Sequence, residues 1–238
     1  MSSRKDRKEA LRRAREERER QARAARQRKR LAGYGVAGTI ALATAVVVAV
    51  LLAAGGSNGA GEPSADVLPE GGDVPEQKEF DITAAARVGG CELKAVKGSG
   101  NQTHTQDPNE RIRYNSNPPT TGKHFITPAE DGAYSEAPTD EALVHGLEHG
   151  RVIVWFKPGL SRDARADLRA LYEEDTYQMF LVPRRNMPYD VAASAWNAEP
   201  APNGTGRMLL CDRFGQGVFD SIRAFRDEHR SNGPEPVP

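Results

Sequence analysis

Four of the chain's five histidines, His104, His124, His145 and His149, fall within one window of the sequence. His145 and His149 stand four residues apart. On a helix that spacing puts both imidazoles on one face, where they can bind one metal ion. His104 and His124 lie in polar, turn-rich segments able to fold over that face. Glu148 is one residue from His149, so it does not share the face squarely and is expected to hydrogen-bond to a ligand from outside. An imidazole-rich set without soft ligands suits zinc or copper(II). A second reading of the same residues is purely structural. Histidines near a helix C-terminus interact favourably with the dipole and cap the last carbonyls. A third comes from the spelling His145-Gly-Leu-Glu148-His149, which matches the inverted zincin pattern H-x-x-E-H. There two histidines bind zinc and Glu148 would act as base. Gly146, Gly150 and the β-type run that follows cut that helix short, so no catalytic residue is assigned and the balance is against an enzyme.

Other chemistries lack their residues. GGCELKAVKGSG contains neither a phosphate-loop nor a dinucleotide pattern. Two cysteines, Cys91 and Cys211, are too far apart for a C-x-x-C redox motif. In an oxidising compartment they are expected to form a disulfide, with two separate thiols, including metal ligands, as the alternative. Tyr114, Tyr134, Trp155 and Trp196 read as core or loop packing.

The elements that must position these residues follow from periodicity. Thr139 to His149 reads as a short helix, with Thr139 or Asp140 as N-cap and Gly150 as its stop. Residues 151–157, 178–183 and 207–211 read as strands, and 161–173, 189–197 and 217–230 as helices. Residues 98–138 are loop-rich, with Asn117-Pro-Pro-Thr-Thr-Gly122 fixing an extended path. The expected fold is α+β or a small α/β unit, with the sheet covered by helices.

Charge sets the domain plan. Lys+Arg and Asp+Glu are equal at 33 each, yet basic residues dominate 1–30, none is charged in 31–54, and acidic residues dominate thereafter. At about 1.5 Å per residue, 31–54 is long enough to cross a hydrocarbon core of about 30 Å. The expected organisation is a basic cytoplasmic tail (1–30), a transmembrane helix (31–54), a flexible linker (55–80), an extracytoplasmic globular domain (81–232) and a disordered tail (233–238). A cleaved signal peptide ending near Ala53-Ala54-Gly55 is the rival. The basic tail suits anionic lipid and, lacking interleaved aromatics, not nucleic acid. An envelope protein partner of unknown identity is expected.

The string Tyr114-Asn-Ser-Asn-Pro-Pro-Thr-Thr-Gly-Lys-His124, then Gly132-Ala-Tyr134, then Leu143-Val-His-Gly-Leu-Glu-His-Gly-Arg-Val152, resembles the bacterial family called domain of unknown function 3105. Ala195-Trp196, the Cys211 region and the closing Phe225-Arg-Asp-Glu-His-Arg-Ser-Asn-Gly-Pro-Glu resemble it too, as does the layout of tail, span and outer domain. The likeness covers about 90–235. It implies no activity and lends no catalytic residues. It does imply that Cys91, His104, His124, His145, Glu148 and His149 belong to one shared pattern.

Overall fold

A computed structural model describes residues 68–235, which lie within one compact unit, Gly61–Pro238. The basic tail, the uncharged run 31–54 and the Ala53–Gly55 junction lie outside the described residues. Among those described, no helix is long and apolar enough to cross a membrane. The fold is α+β. In chain order it comprises α1 (Ile82–Val88), β1 (Cys91–Lys97), β2 (His104–Thr105), β3 (His124–Phe125), β4 (Gly132–Ala133), α2 (Asp140–Glu148), β5 (Val152–Phe156), α3 (Arg162–Glu174), β6 (Met179–Pro183), β7 (Val191–Asn197), β8 (Thr205–Cys211) and α4 (Gln216–His229).

Six strands form one mixed sheet in the order β1-β8-β7-β5-β6-β4, and β2 pairs with β3 in a separate ribbon. The parallel β5–β6 pair is joined through α3, while β5–β7, β7–β8 and β1–β8 are antiparallel. Successive residues of the central strands face opposite sides. Val152, Val154 and Phe156 therefore enter one core with Leu168 and Leu171 of α3 and Phe219, Ile222 and Phe225 of α4. Ile153 and Trp155 enter the other, with Leu143, Val144 and Leu147 of α2.

Sequence periodicity placed six of these twelve elements, α2, β5, α3, β6, β8 and α4, within one or two residues, and Thr139 caps α2 by accepting from the Ala142 N–H. The expected helix at 189–197 is a strand instead. VAASAWN is buried along nearly its whole length between β5 and β8, so tertiary pairing overrides the helix propensity of its alanines. Helix α1, strand β1 and the two-residue strands β2, β3 and β4 had no counterpart among the expected elements. β1 is an edge strand exposed on both faces, which erases the alternation that signals a strand.

Within the spacer expected at 55–80, Leu68 is buried in the first core. Its carbonyl accepts from Arg169, and the Lys78 and Glu79 N–H groups donate to Asp220. Tail residue Glu235 likewise donates its N–H to the Glu148 carbonyl at 3.0 Å. Cys91 and Cys211 form a disulfide and are direct register partners across β1 and β8.

Candidate metal centre

The site forms where the β2–β3 ribbon lies over α2. In the parallel ribbon His104 is the register partner of His124, so two histidines twenty residues apart in sequence become neighbours, with ring centroids 4.6 Å apart. Helix α2 supplies His145 and Glu148, three residues apart and so on one face. Gly146 lets α2 approach the sheet, because a Cβ there would stand 2.7 Å from the Phe180 ring. Gly150 then ends the helix at φ +83°.

One ligand-type atom from each of His104, His124, His145 and Glu148 lies within 4.8 Å of the others, and the four could hold a metal ion. His124 and Glu148 are fully buried at their side chains, while His104 is 28% exposed. The Nε2 of His124 is 2.9 Å from Glu148 Oε2, and that of His104 is 3.6 Å from it. Donor atoms about 2.0–2.2 Å from a tetrahedral ion stand about 3.3 Å apart, and these two separations bracket that value.

The orientation of each group is fixed from behind. His124 Nδ1 donates to the Gly122 carbonyl at 2.7 Å, and His145 Nδ1 donates to the Phe125 carbonyl at 2.6 Å. Each imidazole is thereby left with Nε2 as its lone-pair atom. Glu148 Oε1 accepts the Gln102 N–H at 2.6 Å, which leaves Oε2 for the histidines. A neutral His124 held in this tautomer presents a lone pair to a carboxylate oxygen. A cation, either a second proton or a metal ion, must lie between them.

The electrostatics suit ligation. Burial pushes the His145 pKa down to about 4, assisted by the neighbouring imidazoles and opposed by its bond to Phe125, so its ring is neutral near pH 7. Burial alone would raise the Glu148 carboxyl. Hydrogen bonds from His124 and the Gln102 N–H, with the charges of His124 and His104, outweigh it and hold the group below its ordinary range.

His149 is placed elsewhere. Its Nδ1 donates to the Glu235 carbonyl at 3.0 Å, and its ring stacks on His145 at 4.5 Å. The group of four includes Glu148 and not His149. The four-residue spacing does bring the two rings together, and what sets His149 apart is the Glu235 carbonyl that holds its Nδ1. Glu148 was expected outside the ligand set, although its three-residue spacing from His145 was a legible signal. The carbonyls of Gly122 and Phe125 and the N–H of Gln102 had no sequence signal at all.

The loop carrying His124 rests on the sheet. Thr120 and Thr121 are buried over Gly206, where a Cβ would meet Thr120 Oγ1 at 2.2 Å. Tyr114 donates its hydroxyl to the Lys123 carbonyl, and the Trp196 and His124 rings meet in a T-shaped contact with centroids 6.0 Å apart.

Comparison with the curated proteins finds no match, and comparison with the solved structures finds none either. The family model described as "Protein of unknown function (DUF3105)" matches residues 104–237. That span is more than half of the chain; it opens on His104, takes in all four members of the cluster, and leaves Cys91 just before it. The chain belongs to this family.

Proposed function

We propose that this protein is a single-pass membrane protein whose extracytoplasmic domain holds one divalent transition metal, zinc or copper(II), through His104, His124, His145 and Glu148. The observation that carries the reading is the backing of the ligands. Backbone carbonyls hold Nδ1 of His124 and His145, and a backbone N–H holds Oε1 of Glu148. Such outer partners fix the tautomer and aim of metal-binding side chains. A set of imidazoles and one carboxylate, without thiolate, fits a borderline ion. The uncharged run 31–54 and its basic flank support the membrane anchor. The Cys91–Cys211 disulfide supports an oxidising compartment.

The role that follows is metal handling, or a metal that braces a surface facing an envelope partner. The exposed Ile126, which follows His124 and Phe125, supports a partner-facing surface beside the site. Hydrolysis with Glu148 as base is not favoured, because both carboxylate oxygens are engaged, one by Gln102 and one by His124.

Elemental analysis of the full-length purified chain tests the reading. About one zinc or copper per chain should survive dialysis. His145→Ala and Glu148→Gln should each lower affinity by more than the roughly 10–100-fold that loss of an outer partner costs. His149→Ala should retain the metal. Unchanged metal content in His145→Ala would overturn the shared site.

A further inference from the structure

On the other face of the sheet, a cleft of about 310 Å³ opens between strands β1 and β8 and helices α1 and α4. Its volume sits at the lower end of small-molecule sites, about 300–1,000 Å³. Arg207 of β8 is flanked in register by Ala95 on one side and Ala195 on the other. The two small side chains leave the space beside the guanidinium unfilled. Arg207 has no acidic partner within ion-pair distance among the described residues, and its Nε is buried without a hydrogen bond. Most other arginines that approach the interior here are paired, as Arg223 is with Glu174 and Asp220 and Arg230 is with Asp175. A half-buried guanidinium without a carboxylate is costly unless a ligand supplies one.

The rest of the lining defines the ligand. Ile82 and Leu93 give apolar walls, and Leu93 is itself exposed. Asn197 donates an amide N–H to His229 Nδ1 at 3.3 Å. This sets the tautomer in which His229 Nε2 carries the proton and adds a neutral donor to the lining. Burial, then the charge of Arg207, lowers the His229 pKa to about 4, so it brings no second positive charge near pH 7. Lys94 pairs in register with Met208 and so presents its side chain to the opposite face of the sheet, while Glu228 of the lining is exposed. The half-buried Arg207 therefore decides the charge of the guest, and one guanidinium fork matches one carboxylate.

We infer that this cleft binds a small amphipathic monocarboxylate, its carboxylate on Arg207 and its short apolar tail against Ile82 and Leu93. The site is separate from the histidine cluster and does not rest on the metal reading.

Saturation-transfer NMR on the full-length chain, with hexanoate as the probe, tests it. Hexan-1-ol serves as the uncharged control and inorganic phosphate as the control without a tail. Hexanoate should receive transfer from the protein, and hexan-1-ol and phosphate should not displace it. Arg207→Gln should weaken hexanoate at least about tenfold, the scale of a lost charge-assisted pair. Ala95→Leu, at an exposed edge position, should block the cleft while keeping the guanidinium, and serves if Arg207→Gln does not fold. Absent transfer to hexanoate, equal binding of hexan-1-ol, displacement by phosphate, or undiminished binding in a folded variant would each overturn the inference.

Discussion

The two faces of the central sheet are built from alternate residues of the same strands, and they serve opposite purposes. One is covered by α1, α3 and α4 and closes around aliphatic and aromatic side chains next to the Cys91–Cys211 disulfide. The other is covered by α2 and by the irregular segment 98–137, and it holds the buried His124, His145 and Glu148. Helices use their own backbone groups internally and offer a neighbour only side chains. Irregular chain leaves carbonyls and N–H groups that need partners. The Gly122 and Phe125 carbonyls and the Gln102 N–H meet that need by holding the metal-type ligands. Burial thus builds one face and backbone hydrogen bonding aims the other. The exception on the helical face is Arg207, at the margin where the edge strand leaves a cleft.

The largest test of this contrast removes the disulfide. It closes a loop of 120 residues, so Cys91→Ser with Cys211→Ser should destabilise the domain by about 4–5 kcal/mol in the chain-entropy model. Urea denaturation should show both faces lost in one transition. If metal binding alone disappeared at unchanged stability, the faces would not share one cooperative unit.

A smaller effect is expected from Gly206→Ala. The new methyl would overlap Thr120, with a cost of about 1–3 kcal/mol for overpacking. Thr120 and His124 lie on the same short loop, so metal affinity should fall as well, measured by competition with a chromogenic chelator. Destabilisation with full metal affinity would mean that the loop's seat on the sheet does not aim the imidazole.

The smallest effect compares one histidine from each face. His145 and His229 both have folded pKa values of about 4, against an ordinary 6.5. The unfolded chain therefore binds protons between about 6.5 and 4 that the folded chain refuses. The stabilisation is complete above about 6.5 and is lost as pH falls towards 4. His229→Gln should make the urea midpoint less pH-dependent across that window, leaving the His145 share. An unchanged slope would mean that His229 is not held neutral by its burial.

Much of the fold was legible in local pattern. Thr139 and Gly150 bracket α2, and apolar spacing places α3, α4 and strands β5, β6 and β8 close to where they occur. A strand or helix with one face against a core repeats that fact every second or every third to fourth residue. The same rule explains the failures. β7 is buried on both faces and its alanines suit a helix as well as a strand, so only its pairing with β5 and β8 decides the matter. β1 is exposed on both faces and carries no period.

The candidate site divides in the same way. The sequence by itself placed His145 and Glu148 on one helical turn, supplied His104 and His124 nearby, and set two cysteines where they could close a long loop. Only the tertiary structure brought His104 and His124 into register, put Glu148 among the histidines, and turned His149 to Glu235. The physical reason is range. Helical spacing fixes which side chains share a face over three or four residues, whereas contacts across twenty to forty residues depend on loop closure and on backbone groups that every residue carries alike.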